Sequence, residues 1–373
     1  MSKIKCAVLG IGNCASSLIQ GIEYYKTRND GFGYINERVG EYHLKDIEFV
    51  LGIDVDQRKV GLDLNEAIFA QPNNTLVFQQ DMPVAGVKVM MGKVLDGVAP
   101  HMLDAGSRGF MLSDAAEPSR GEVIEALKAS GAEVLINFLP VGSQEATELY
   151  MDCALEAHLA VVNCIPVFIA SDAAWAERFR SHGLPIVGDD IKAQVGATIV
   201  HRALSGLMSD RGFRVQRTYQ LNTGGNTDFM NMLDRSRLVS KRASKTGSVQ
   251  AALAERLADE NIMIGPSDYV PWQNDNKVCF LRIEGEHWGG ATAEIELRLS
   301  VEDSPNSAAC VADAIRCAKI ALDRGESGPL KIPSACYFKT PPEQMDDATA
   351  RIKLADFIGQ TPPVSDVRVI TSR

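Results

Sequence analysis

No apolar run in the 373-residue chain approaches the roughly 20 residues that a membrane-spanning helix needs, so a helical membrane protein is not expected. A signal-peptide pattern is missing as well: "MSKIKCAVLG" enters a strand directly, and a cytoplasmic protein is expected. Positive charge is in short supply. Lys and Arg number 38 against 48 Asp and Glu, and the net charge of -10 excludes nonspecific nucleic-acid binding, which needs a basic surface. Any anionic substrate must therefore be held by a local cationic pocket. Paired cysteines are also absent. The eight cysteines, at 6, 14, 153, 164, 279, 310, 317 and 336, form no Cys-x-x-Cys and no His/Cys ligand cluster, and in a reducing compartment they read as small core residues. The chain has no internal repeat and no low-complexity segment. At 45% hydrophobic and 23% charged residues it is close to the globular average, and its length suits two domains.

What is present starts with "VLGIGNCASSLIQG", residues 8 to 21. Gly10, Gly12 and Ala15 fill the three places of a Gly-x-Gly-x-x-Gly/Ala turn between a strand (3 to 12) and a helix (15 to 26). Such a turn brings bare backbone and a helix N-terminus up to a pyrophosphate. The strand "IEFVLGIDVD" ends in Asp54, where a dinucleotide fold contacts a ribose hydroxyl; a strand-end turn carboxylate is the other reading, since a loop-rich insertion lengthens the spacing. Short apolar strands and helices then alternate through "EVLINFLP", "SQEATELYMDCALEA", "AVVNCIP", "SDAAWAERFRSHG" and "PIVGDD". That alternation implies a parallel sheet covered on both faces, a Rossmann-like doubly wound α/β domain.

Beyond about residue 200 the pattern changes. "HRALSGLMSDRG" reads as a helix and "RVQRTYQLNTGG" as a strand, and in residues 278 to 301 Ile295, Leu297, Leu299 and Val301 alternate strictly. Period-two alternation buries one face of a mainly antiparallel sheet and leaves the other for solvent or a partner. "SAACVADAIRCAKIALDRG" is then a helix stopping at Gly325.

Polar clusters interrupt this framework. In "GDDIKAQVGAT" two acids and Lys192 sit at a strand end, where α/β sheets bind ligands; helix capping by Asp189 or Asp190 is the alternative. In "NTGGNTDFMNMLDRSRLVSKRASKT" the residues Asn222, Asn226 and Asp228 surround a Gly-Gly turn. Lys241 and Lys245 follow one helical turn apart, where two ammoniums repel unless an anion lies between them. Spacing alone does not separate that anion site from two solvent-facing lysines. Asp275, Lys277, Asp303 and Lys339 are dispersed and read singly as surface charge.

Taken in order, "GIGNCASSLIQGIEYY", "LPVGS", "PVFIASD", "PIVGDDIKAQVGAT", "QLNTGGNTDFMNML", "SKRASKT", "IGPSDYV", "VEDSPNSA" and "PPEQ" resemble the myo-inositol-1-phosphate synthases of the shorter prokaryotic type, over nearly the whole chain. The resemblance implies an NAD-binding Rossmann-like domain from residues 1 to 199 and 306 to 373, and a central α+β catalytic and oligomerisation domain, 200 to 305, in a homotetramer. It implies an isomerase that oxidises glucose 6-phosphate at C5, deprotonates C6, closes the ring by aldol attack on C1 and reduces the product, using NAD. Gly10, Gly12, Asn13 and Cys14 would face the pyrophosphate, and Asp54 or Asp63 the adenosine ribose. Asp189 to Ala193 would lie by the nicotinamide, with Tyr150 a further contact. Lys241 would act at the C5 oxygen, Lys245, Lys277 and Lys339 at the phosphate and C1 oxygen, and Asp228 and Asp303 would orient them. Asn222, Asn226, Asp275 and Lys192 would touch substrate. Some family members use a divalent or monovalent cation near the nicotinamide, and no motif here specifies one. Ala193 replaces the family's usual Ser, and "WGGATAEIE" departs from its pattern. Two further readings stay open: a related enzyme closing a five-membered carbocycle from fructose 6-phosphate, and a non-enzymatic NAD-binding regulator.

Overall fold

The computed structural model describes residues 3–28 and 31–360; the expected membership of 361–373 in the dinucleotide-binding part lies outside these residues. Strands β1 (Ile4–Leu9), β2 (Ile47–Asp54), β3 (Val89–Met91), β4 (Val134–Asn137), β5 (Ala160–Asn163) and β6 (Pro185–Val187) belong to one sheet. Strands β7 (Arg214–Gly224), β8 (Ile262–Tyr269), β9 (Asn276–Glu286) and β10 (Thr292–Glu302) form a second, and β11 (Gly328–Pro329) returns to the first. The first sheet has the order β11-β6-β5-β4-β1-β2-β3, and every pairing in it is parallel. β4 and β5 are buried at every position because helices cover both faces, as the continuous apolar runs require. One face carries the Asn13–Thr27 and Asp303–Arg324 helices, and the other the Arg120–Ser130, Gln144–Glu156 and Ala173–Ser181 helices.

Strand order reverses between β1 and β4. The chain first winds outward through β2 and β3, then restarts on the other side of β1. The loops leaving β1 and β4 therefore part above the sheet, and the crevice between them is where an open α/β sheet binds its ligand.

The second sheet has the order β8-β7-β9-β10. β9 pairs antiparallel with β7 and β10, but β8 runs parallel to β7. The parallel pair follows from its connection: the Val239–Gln250 helix lies between β7 and β8, and a helical crossover returns the chain in the same direction. Alternation within β7 and β9 shows which face is covered and carries no information about that crossover. The inner face buries Cys279, Leu281 and Ile283 beneath helices Ala197–Asp210 and Val239–Gln250. The first of these helices begins four residues before the expected "HRALSG" start, because Gly196 supplies its extended cap.

All eight cysteines are unpaired, and six are buried. Among the described residues no helix is long and apolar enough to cross a membrane.

One buried ion pair fastens the insertion after the first helix. Arg316 and Asp313, both fully buried on the Asp303–Arg324 helix, pair with each other. Arg316 also donates to the carbonyls of Glu37 at 3.0 Å and Asn36 at 2.9 Å, while Asp313 accepts from Asn36 Nδ2 at 2.6 Å and the Tyr337 hydroxyl at 2.8 Å. Arg316→Ala would leave Asp313 charged and without its cation. A loss of about 3–5 kcal/mol in unfolding free energy is expected by urea titration, and a change within about 0.5 kcal/mol, the level of an ordinary surface substitution, would show the pair to be dispensable.

Candidate active site

The chain leaves β1 through Gly10-Ile11-Gly12 and enters the Asn13–Thr27 helix. Gly10 has φ +80°, and a Cβ there would lie 2.7 Å from the Phe138 carbonyl oxygen just beyond β4. Only a residue without a side chain lets the two loops approach this closely. Gly12 caps the helix with no side-chain hydrogen bond, no acid stands in the first turn, and a Cβ at Gly12 would meet nothing within 4 Å. The positive end of a 15-residue helix thus faces open space, an arrangement suited to a pyrophosphate.

Asp54 sits beneath this turn. Its carboxylate accepts from the backbone N–H groups of Ile11 at 2.7 Å, Val55 at 2.7 Å and Asp56 at 2.9 Å. Three of its roughly four acceptor positions are filled, so the acid both braces the turn and keeps capacity on its cleft side. Lys59, buried below, donates to the Ile11 carbonyl at 2.8 Å and to Asn73 Oδ1 at 3.0 Å. Burial pushes its ammonium below the usual range against the opposing pull of Asp54 and Asp56. Tyr150 accepts from Lys93 N–H at 2.8 Å, and burial pushes its phenol up to about 12. Burial, then Asp275 and Asp303, push the Cys14 thiol up to about 12, so it stays a thiol near neutral pH.

Facing the turn are four lysines from three parts of the chain. Lys241 and Lys245 lie one turn apart on the Val239–Gln250 helix, Lys277 stands on β9, and Lys339 follows the Lys331–Tyr337 helix. All four line the same cleft as Gly10, Gly12, Asn13, Cys14, Asp54 and Tyr150. Together with the open space at its mouth the cleft measures about 1680 Å³.

Three of the lysines are paired. Lys241 donates to Asp228, Lys277 lies 2.9 Å from Asp303, and Lys339 lies 2.7 Å from Asp190. Burial pushes the Asp190 carboxyl up, but Lys339, Lys241 and the hydrogen bonds from Lys339 and Ser244 outweigh it and hold the acid below its usual range. At Lys277 the effect of burial is likewise outweighed by Asp303, which holds the ammonium above its usual range. Lys245 differs. It is buried and, among the described residues, has no hydrogen-bonding or ion-pairing partner on the protein. Burial, followed by the charges of Lys277, Lys241 and Lys339, drives its ammonium well below the ordinary lysine range.

Asn226 and Ala193 also line the cleft, Asn226 while capping the Thr227–Asn231 helix. Five expected site residues do not. Asp63 caps the Leu64–Ala67 helix and accepts from Ala85 and Gly86 N–H. Asp189 is fully buried among Asn163 and the backbone of residues 169 to 171, and burial raises its carboxyl to about 6 against those hydrogen bonds. Lys192 points away to the Ala335 carbonyl at 2.7 Å and Asp347 at 3.3 Å. Asn222 donates to the Gly265 carbonyl on the covered side of the second sheet. Asp275 lies behind the cleft wall. Sequence reasoning overlooked Lys59, Gln220 and Ser304 in the cleft lining, and Ser244, which donates to Asp190 at 2.7 Å. Ser304 was marked only by following Asp303, and Lys59 carried no sequence signal. Among the described residues no group of three or more His, Cys, Asp or Glu is arranged to hold a metal ion.

The sequence profile of the family described as Myo-inositol-1-phosphate synthase matches residues 196–304. The inositol-3-phosphate synthase of Mycolicibacterium smegmatis is 48% identical over 363 residues, 95% of this chain and 98% of that protein. Among solved structures, Ari2 superposes with a TM-score of 0.76 at 33% identity, covering 96% of this chain and all of the other. A myo-inositol-1-phosphate synthase-related protein from Thermotoga maritima superposes with a TM-score of 0.80 at 25% identity, covering 96% and 99%. Similar in sequence along almost its whole length to an inositol-3-phosphate synthase, and carrying that family's profile across its lysine-bearing segment, the chain belongs to the myo-inositol-1-phosphate synthase family.

Proposed function

We propose that this protein converts glucose 6-phosphate to a myo-inositol monophosphate, with NAD held in the same cleft. The observation that carries the reading is the convergence of four buried or half-buried lysines, one of them unpaired, on an uncapped helix N-terminus behind a glycine turn. Gly10 and Gly12 fit the dinucleotide backbone, Asn13 and Cys14 the pyrophosphate, and the free side of Asp54 a ribose hydroxyl. Bound there, NAD would supply a hydride acceptor and later a hydride donor.

The side chains divide the remaining work. Lys245, the lysine most easily left neutral, takes the proton of the C5 hydroxyl, since an uncharged amine is a proton acceptor and an ammonium is not. Lys241, paired with Asp228, stays at the C5 oxygen as a donor. Its hydrogen bond strengthens there as the C6 proton passes to the substrate's own phosphate and negative charge gathers on that oxygen. Lys277 and Lys339, each tied to a carboxylate, hold the phosphate and the C1 oxygen, so that ring closure occurs between carbons already aligned. We further infer a homotetramer built on the outer face of the second sheet. Leu221 and Phe280 stand opposite each other there, with Met263 across from Tyr219; all three apolar side chains are exposed in the single chain. We infer a functional division of the chain at residues 199/200 and 305/306, between a cofactor-binding part that also supplies Lys339 and a part that carries Lys241, Lys245 and Lys277.

Incubation of the purified protein and NAD with glucose 6-phosphate should yield an inositol monophosphate, identified by mass and NMR, with no net NADH. A carbocycle formed from fructose 6-phosphate alone, or stoichiometric NADH, would overturn the assignment. Lys241→Ala should lose roughly 3 to 4 kcal/mol of transition-state stabilisation, a hundredfold to thousandfold fall in turnover. Lys245→Arg should fall by at least about a hundredfold, because a guanidinium does not accept a proton. With Lys245 as the base, kcat/KM rises with pH through its lowered pKa and is lost below it; a wild-type rate profile flat on the acidic side would remove Lys245 from that role. Light scattering at micromolar concentration should give a four-chain mass, and a monomer would refute the assembly.

A further inference from the structure

We propose that Asp275 is a positioning residue: it aligns the dinucleotide turn with two of the lysine–carboxylate pairs and does not touch substrate. The inference rests on the cyclase reading above. Asp275 is 1% exposed and does not line the cleft. Its Oδ1 accepts from Asn13 Nδ2 at 3.1 Å, Asn226 Nδ2 at 2.9 Å and the Ser304 hydroxyl at 3.0 Å, and its Oδ2 accepts from Ser304 N–H at 3.1 Å. Its backbone carbonyl accepts from Asp303 N–H at 3.0 Å. No cation pairs with it among the described residues; amide and hydroxyl dipoles alone solvate it. A buried carboxylate is costly unless fully hydrogen-bonded, and here the hydrogen bonds lead to three functional places.

Each partner sits beside a group assigned to the chemistry. Asn13 opens the helix whose N-terminus faces the cofactor site. Asn226 caps the short helix that presents Asp228 to Lys241. Ser304 follows Asp303, the partner of Lys277, and Asp275 itself stands two residues before Lys277. Segments around residues 13, 226 and 304 are thereby gathered on one side chain. Replacing the carboxylate by an amide puts an NH₂ where Ser304 N–H or its hydroxyl must be accepted. The three segments lose their common reference, while each keeps its own secondary structure.

The test is Asp275→Asn in the full-length protein. Amide hydrogen exchange, with no ligand present, should rise together over residues 12–17, 225–231 and 303–308 and nowhere else. Turnover of glucose 6-phosphate should fall by about tenfold to a hundredfold, as expected for a misplacement of about 1 Å, while KM and NAD affinity measured by calorimetry stay within about threefold. A KM raised about tenfold at unchanged kcat would make Asp275 a substrate ligand and overturn the proposal, as would exchange confined to one of the three segments. Should the Asn variant not fold, Ser304→Ala removes one donor only, and the same coordinated exchange is expected at smaller amplitude. If the wild-type protein turns over no sugar phosphate, the cyclase reading fails, and the exchange pattern still decides whether Asp275 joins the three segments.

Discussion

Everything in the cleft answers to one electrostatic constraint: four lysine side chains converge in a space largely closed to water. Two unit charges 4 Å apart interact by about 4 kcal/mol at an effective dielectric constant near 20, so four ammoniums without counterions would drive one another apart or give up their protons. The structure avoids the first outcome and uses the second once. Asp228, Asp303 and Asp190 each neutralise one lysine, and Lys245, without a partner among the described residues, moves toward the neutral amine. A phosphate entering this cleft meets lysine donors and an uncapped helix N-terminus in a molecule whose total charge is -10. Local burial and pairing, and not total charge, decide what binds.

That constraint accounts for the way the two sheets meet. Lys241 and Lys245 come from a crossover helix of the second sheet, Lys277 from its strand β9, and Lys339 from the segment returning to the first sheet. Asp190, at the end of β6, reaches Lys339 and, through Ser244, the lysine-bearing helix. An ion pair here also joins the parts of the chain. The helix N-terminus behind Gly12 adds a second source of positive potential in the same cleft.

Several acids and lysines that looked equivalent in sequence have different duties. Asp189 and Asp190 are neighbours, yet one is sealed among backbone N–H groups and the other faces the cleft. Lys192 follows Asp190 by two residues, yet it turns to Asp347, and Lys339, remote in sequence, takes the acid. Asp63 and Asp54 were alternatives for one role, and Asp63 is occupied in capping. In each case the decision lies in which donors and acceptors the fold brings alongside.

The sequence by itself determined the parallel sheet, the glycine turn at its switch point, the helix ending at Gly325 and the lysine pair at one-turn spacing, because each depends on residues close together in the chain. Strand alternation, an i, i+4 interval and a residue tolerant of positive φ are local statements of geometry. Only the tertiary structure decided that β8 runs parallel to β7, that Lys59 braces the turn from below, and that Asp275 joins residues 13, 226 and 304. It alone also decided that Lys245, of the four lysines, pairs with no carboxylate among the described residues. Those outcomes depend on contacts between residues far apart in sequence and on how much water each charge retains, and both exist only once the chain has folded.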